Sequence, residues 1–421
     1  MSERPDLPLD LLRGLALPRM SRRRFLQAGG LTVAGATLAA CSLPGTPRSN
    51  LGLQGAREEI AKYWAAQTQH GQLNFANWPL YMDVDADDES KHPSLDEFTK
   101  KTGIKVKYDE VINDTDEFYN KIAPVLRQKQ SLEWDLMVLT NGMSLNDLMI
   151  RDYLVPLDQA RMSNFYANAS TLAANPSYDR GNVYTMAWQS GITGIAYDIK
   201  RVGHEITSWE DLQDPKLRGK IGMFGDNEDL PGCALAAIGV NPEQSTPEDW
   251  KKAADWLIKQ KPLVRKYYAQ DYVDPLLRGD IWATMGWSGD VLANQGDNPN
   301  LRFVVPKEGA ILWTDNMCIP AAARNPLDAM IYMDYVYNPD VAATLADYIW
   351  YITPVPAVQG IFVQEAKDAD NEDDKAYYQD LSTNPLMFPK EADFAKLHRY
   401  RVLSEEERPV WNALFQPIYS G

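Results

Sequence analysis

Carboxylates and large aromatic residues recur together at short spacings in this chain. They stand as Trp78 with Tyr81, Asp226 with Asp229, Trp287 with Asp290 and Trp313 with Asp315, and Tyr351 follows further on. An aromatic face attracts a cation by about 0.5–2 kcal/mol. A carboxylate pairs with an ammonium group through charge-assisted hydrogen bonds. The same rings cover methylene groups, at roughly 0.8 kcal/mol per buried CH₂. Together these groups suit alkylammonium ions, whose charged ends are joined by an apolar linker. Each residue alone has a plainer role. A Trp fills a core. An Asp caps a helix, and Asp229 fits that role well because an apolar stretch follows it. What favours a ligand is that the groups fall at the same kind of place, just past a strand.

Residues 306–320 read P-K-E-G-A-I-L-W-T-D-N-M-C-I-P. Gly309 makes a turn and an apolar run follows. A strand there puts Trp313 and Asp315 on one face, at period two. A carboxylate beside an indole on a buried strand is costly unless a cation or hydrogen-bond donors meet it. Backbone N–H groups could supply those donors, and so could a ligand.

The elements that carry these residues read as alternating strands and helices. Strands are expected at 73–77, 104–111, 134–139, 219–224 and 281–286, and an extended crossing at 184–198. Helices are expected at 57–67, 117–128, 145–153, 326–336, 339–350 and near 410–415. A capping box, S-L-D-E at 94–97, opens another helix, which Gly103 closes. T-S-W-E-D-L at 207–212 caps a helix, and Thr246 with Pro247 starts one more. The acidic runs 83–90 and 368–374 read as solvated loops. In a β-α-β chain of this kind, ligands sit beyond the carboxyl ends of the strands.

At 421 residues the chain exceeds one compact core, and two lobes are expected. The formal charge is −16; the first forty residues are net +3, so the remainder carries −19. Such a surface repels nucleic acid and anionic lipid. It suits cationic small molecules, or serves solubility alone. The start is a targeting segment. S-R-R-R-F-L at 21–26 matches the twin-arginine export pattern, and the apolar run 28–40 is too short to span a bilayer. L-A-A-C at 38–41 matches a lipobox, in which Cys41 carries the lipid, and 42–55 reads as a tether. The remaining cysteines, Cys233 and Cys318, suit a disulfide or two buried thiols equally. No metal spacing and no nucleophile elbow stands in the sequence. No catalytic residue and no cofactor is therefore expected.

From residue 73 to about 363 the chain resembles the periplasmic spermidine/putrescine-binding proteins of bacterial ABC transporters. The resemblance rests on Asn77-Trp78 with Tyr81, F-T-K-K-T-G-I-K-V at 98–106, W-D-L at 134–136, T-S-W-E-D-L at 207–212, P-K-E-G at 306–309, W-T-D at 313–315 and Thr353-Pro354, in that order. It implies an α/β fold of the type II periplasmic-binding-protein kind, with two lobes that close on a ligand in the cleft between them. Residues 1–40 would be the signal and 41–72 the tether and a short helix. The first lobe would hold 73–188 with about 314–350, and the second 189–313 with about 351–421. The implied ligand residues are Trp78 and Tyr81, Thr140 in place of the usual Ser, the acidic pair Asp226 and Asp229, Trp287 and Asp290 of a W-x-G-D motif, then Trp313, Asp315 and Tyr351. Leu80 stands where members often carry an acid, and Gly142 where an aromatic is common. The implied function is non-enzymatic. A lipid-anchored, monomeric receptor on the outer face of the cytoplasmic membrane captures a polyamine and delivers it to an ABC permease. Two alternatives are another solute (a sugar or amino compound) in the same fold, and a secreted glycoside hydrolase that uses paired carboxylates.

Overall fold

The computed structural model of the protein describes residues 53–420, apart from 89, 297 and 391. The signal, Cys41 and the start of the tether lie outside the described residues. The apolar runs form the strands β1 (Gln72–Asn77), β2 (Lys105–Glu110), β3 (Leu136–Thr140), β4 (Thr185–Asp198), β5 (Ile221–Phe224), β6 (Val264–Tyr268), β7 (Ala283–Trp287), β8 (Leu301–Val304), β9 (Ala310–Cys318) and β10 (Leu397–His398). They make one sheet in the order β2-β1-β3-β9-β4-β7-β5-β6, with β8 beside β4 and β10 beside β9.

β1 to β3 are parallel, and so are β5 to β7. Parallel neighbours need a crossover, which here is helical. β4 and β9 run antiparallel to each other, β9 runs antiparallel to β3, and β4 to β7. β4 begins beside the first parallel group and ends beside the second, and β9 makes the return. These two strands therefore join two α/β lobes. Every residue of both is buried, so neither shows the alternation of a half-solvated strand.

Several local signals act as the sequence suggests. Thr246 and Asp249 form a capping box at the head of helix Pro247–Gln260, which has Pro in its first turn. Gly103, at φ 76°, closes helix Pro93–Thr102. Others differ. Ser94 does not cap that helix; His92 holds the cap position. The amide of Ser94 donates to Asp83 at 2.8 Å, and its hydroxyl donates to the other Asp83 oxygen. A carboxylate at a helix N-terminus meets the macrodipole as well as the free N–H groups, so Asp83 displaces the hydroxyl. Asp83 is buried as a result, unlike the solvated loop expected there. The second acidic run opens a helix: Asn371 caps Glu372–Thr383, and Glu372, Asp373 and Asp374 fill its first turn. The 207–212 stretch forms a 3₁₀ turn, Trp209–Gln213, capped by Ser208. Helix Asp229–Ala237 was signalled only by the fit of Asp229 as a cap. It is buried along nearly its whole length, so it lacks the one-sided apolar pattern that marks a surface helix.

Beyond residue 350 the chain touches both lobes. Helices Val358–Asp368 and Glu372–Thr383 pack on each other, and the first of them packs on Pro339–Ile349. The Tyr377 hydroxyl donates to Asp347 at 2.9 Å. Helix Arg408–Tyr419, longer than expected, packs on Pro247–Gln260. Cys233 and Cys318 are both free and buried, and serve as packing groups. No helix among the described residues is long and apolar enough to cross a membrane.

Candidate binding site

β9 sets Trp313 and Asp315 on one face at the centre of the sheet. Asp315 lies opposite Thr140 in the β3–β9 pairing and accepts from its hydroxyl at 2.6 Å. Tyr81, past the end of β1, donates to the other oxygen at 2.8 Å. The donors are thus side-chain hydroxyls. Burial pushes the Asp315 carboxyl up to about 6, against the downward pull of both hydroxyls. Trp313 lies opposite Gly191 of β4. A Cβ at 191 would overlap the indole, so only glycine lets the ring lie flat there. The ring meets Tyr351 at 5.2 Å and Trp287 at 6.5 Å, both edge-on.

The second lobe supplies the facing groups. Trp287 ends β7, and its Nε1 donates to Asp229 at 3.1 Å. Tyr400 donates to the other Asp229 oxygen at 2.8 Å. Asp290, in the first turn of helix Ser288–Asn294, accepts from Tyr351 at 2.7 Å and Tyr272 at 2.8 Å. Gly289 makes room for Tyr351: a Cβ there would come within 2.6 Å of the ring. Asp226 accepts from the amides of Glu228 and Asp229 at 2.7 and 2.5 Å. The capping role expected of Asp229 therefore falls to Asp226, and Asp229 is left for Trp287 and Tyr400.

The electrostatics are one-sided. Asp229 and Asp315 are buried, and Asp226, Glu228 and Asp290 are half-buried. All five carboxyls are pushed up, with loss of hydration the largest cause in each. The charge of Asp229 adds to the rise at Asp226, and that of Asp116 to the rise at Glu228. None of the five belongs to an ion pair among the described residues. Neutral hydroxyl, indole and amide donors orient these carboxylates without neutralising them. Each carboxylate keeps an acceptor position, and the cost of its desolvation is relieved by a proton or by an arriving cation. Gln189 pairs with Asp315 across β4 and β9. It is 2% exposed, and its Oε1 accepts nothing. That oxygen is a further acceptor for an ammonium group.

Hydrogen bonds or ring contacts thus link Tyr81, Thr140, Asp229, Trp287, Asp290, Trp313, Asp315 and Tyr351. Asp226 joins them through the Asp229 backbone. Trp78 stands apart: its Nε1 donates to the Val138 carbonyl at 3.0 Å, and its half-buried ring packs on the core. Leu80 is 75% exposed and brings neither charge nor cover to the group.

Four residues escaped the sequence reading. Glu228 spans the lobes, accepting the Met143 amide of helix Met143–Ile150 at 2.5 Å. The clue was Gly142, where a Cβ would overlap that carboxylate. Gln189 had a clue in Gly191 two positions on, because the residues facing a ring-filled glycine share its face. Tyr272 sits in a turn that carries no motif. Tyr400 lies two residues past β10, and only the pairing of β10 with β9 brings it in.

Two α/β lobes joined by crossing strands, with buried carboxylates and aromatic rings gathered at the join, have the build of a receptor for a small solute. The chain belongs to the bacterial extracellular solute-binding proteins, which it matches over residues 94–372. It is 28% identical over 321 residues to the spermidine/putrescine-binding periplasmic protein of Salmonella typhimurium, covering 76% of this chain and 86% of that one. It is 25% identical over 368 residues to the putrescine-binding periplasmic protein PotF of Escherichia coli, covering 83% and 91%. Its fold is similar to that of a putative spermidine/putrescine ABC transporter protein from Listeria monocytogenes, with a TM-score of 0.68, 23% identity and coverage of 83% and 98%. The Tp0655 (TpPotD) lipoprotein of Treponema pallidum gives a TM-score of 0.67 at 18% identity, over 83% of this chain and all of that one. The fold is that of a type II periplasmic binding protein. The protein is a solute-binding transport protein and not an enzyme, so the glycoside-hydrolase reading falls away.

Proposed function

We propose that this protein is an extracytoplasmic receptor that captures a polyamine of the putrescine or spermidine kind and passes it to an ABC permease. The observation that carries the reading is a set of dehydrated carboxylates, interleaved with aromatic rings and without an ion-pair partner among the described residues. One ammonium group would sit at Asp315, with Thr140, Tyr81 and Gln189 around it. A second would sit among Asp226, Asp229 and Asp290. The methylene chain would lie against Trp313, Trp287 and Tyr351, where each buried CH₂ contributes roughly 0.8 kcal/mol. The names of the relatives, which are putrescine- and spermidine-binding, support the same reading. A sugar would leave all five carboxylates without a counter-charge.

The wider setting is part of the proposal. The chain leaves the cytoplasm by the twin-arginine route, is anchored through a lipid on Cys41, and acts as a monomer. The first lobe comprises 73–188 with about 314–350, and the second 189–313 with about 351–421 apart from two helices. Helices Val358–Asp368 and Glu372–Thr383 go with the first lobe, because the former packs on Pro339–Ile349 and Tyr377 of the latter donates to Asp347.

The test is titration calorimetry with spermidine and putrescine, and it carries a pH signature. Burial raises the Asp315 carboxyl from 3.8 to about 6. In the ligand-free protein the protonated form is favoured, so its stabilising contribution is full below 3.8 and lost as pH rises through about 6. Ligand capture needs the ionised form, so affinity moves the other way. Alkylammonium groups, with pKa about 10.4, stay charged throughout. Affinity should fall at least about tenfold between pH 7 and pH 5. An affinity that is flat or improves toward pH 5 would remove the carboxylates from recognition.

A further inference from the structure

The family match ends at residue 372, yet the chain beyond it bridges the two lobes. Helix Arg408–Tyr419 is seated on the second lobe. The Trp411 ring lies 5.2 Å from Trp250, and its Nε1 donates to the Asn227 carbonyl at 2.9 Å. The Tyr419 hydroxyl donates to the Asn227 side chain at 2.8 Å. From this seat Arg408 reaches the first lobe. Two of its guanidinium nitrogens donate to the two oxygens of Asp147, in helix Met143–Ile150, at 2.6 and 2.5 Å. The two side chains are 21% and 6% exposed. A planar guanidinium meeting both oxygens of one carboxylate demands a single relative placement of the helices that carry them. A second bridge, Arg151 to Glu405 at 3.2 Å, is 40% and 72% exposed and contributes little. The head of the same first-lobe helix is held by Glu228 of the second lobe. One helix of the first lobe is therefore gripped from the second at its start and at its middle.

We propose that Arg408 and Asp147 form a clasp that holds the lobes shut over the bound solute and sets how long it stays. They are positioning residues, which act through the placement of the lobes and make no ligand contact. The proposal rests on the reading of the cleft as a polyamine site. The pair can meet only when the lobes are together, so it slows opening and leaves the first encounter with ligand unchanged.

The experiment is stopped-flow tryptophan fluorescence with spermidine on the mature chain. Arg408→Leu keeps part of the apolar stem and loses the charge. It should release spermidine at least about tenfold faster, with association changed less than about twofold. Asp147→Asn should match it, and the double variant should add nothing further, because one contact can be lost only once. The exchanged pair, Arg408→Asp with Asp147→Arg, should recover part of the slow release. A release rate unchanged in Arg408→Leu, or single effects that simply add, would overturn the clasp. A wild-type chain that binds neither spermidine nor putrescine would refute the ligand reading before any variant is compared. The clasp is then decided by hydrogen exchange of the ligand-free chain. Arg408→Leu should speed exchange in helix Met143–Ile150 and leave helix Pro93–Thr102 unchanged; equal rates in both helices for wild type and variant would overturn it.

Discussion

Asp315→Asn should weaken polyamine binding by about a hundredfold or more and, at the same time, make the ligand-free protein more stable. The two effects have one cause. Asp315 is 5% exposed and is met only by neutral hydroxyls. Its carboxyl is raised from 3.8 to about 6, which at 1.36 kcal/mol per unit is a cost of about 3 kcal/mol for holding the charge at pH 8. Asparagine keeps the shape and removes the charge. The hydroxyls of Thr140 and Tyr81 can rotate to meet an amide, so part of that cost is recovered. Calorimetric melting at pH 8 should show a rise of a few degrees. When ligand is present the balance reverses. A charged hydrogen bond to a buried ammonium is lost, worth about 3 kcal/mol or more, which is the hundredfold in affinity. A variant that loses both stability and binding would make Asp315 a structural residue. Unchanged affinity would remove it from the site.

Gly191→Val should disrupt the site from the side that carries no charge. The side chain would enter the space of the Trp313 indole. Both strands are central and fully buried, so the ring has to leave its rotamer and its contacts with Tyr351 and Trp287. Overpacking of this kind costs about 1–3 kcal/mol. Binding should fall in parallel, because the displaced ring no longer covers the methylene chain. Tryptophan emission of the folded variant should shift, and its melting point should drop. Gly360 offers the contrast. It lies inside helix Val358–Asp368, and beyond the helix's own backbone and its chain neighbours no atom stands within 4 Å of the Cβ position. Gly360→Ala should raise stability by about 0.5–1 kcal/mol without touching binding. If Gly191→Val behaves like Gly360→Ala, the account of Trp313 is wrong.

Much of this is legible in the amino-acid sequence, for reasons that differ residue by residue. Trp313 and Asp315 were legible because strand periodicity is local, and two residues two apart must share a face. The capping box of Thr246 and Asp249 was legible because both partners lie within one helical turn. The Ser94 box satisfied the same pattern and failed, since Asp83, eleven positions earlier, competes for the same N–H groups. Local rules hold until a distant charge enters. Asp229 looked like a cap because it precedes an apolar helix. Asp226, three residues back, has the better reach to the free amides, and that exchange gives Asp229 to the cleft. Trp78 shared the strand-end pattern of the other aromatics, yet its indole N–H is taken by a backbone carbonyl of β3. Tyr400 and Arg408 could not be read at all. Their roles depend on where the tail returns to the sheet, and no spacing in the sequence encodes that return. Glu228 was hidden among acids, and the informative residue was Gly142, whose missing side chain leaves the space the carboxylate fills.

A calorimetric titration of the mature protein, at pH 7.5, against spermidine, putrescine, a neutral sugar and a neutral amino acid decides whether the buried carboxylates take a polyamine. One-site binding of at least one polyamine is expected, at about micromolar dissociation constant or tighter, with no heat from the sugar and a higher melting point with the polyamine that binds. A folded protein that gives no heat with either polyamine, or that binds the sugar more tightly, would contradict it.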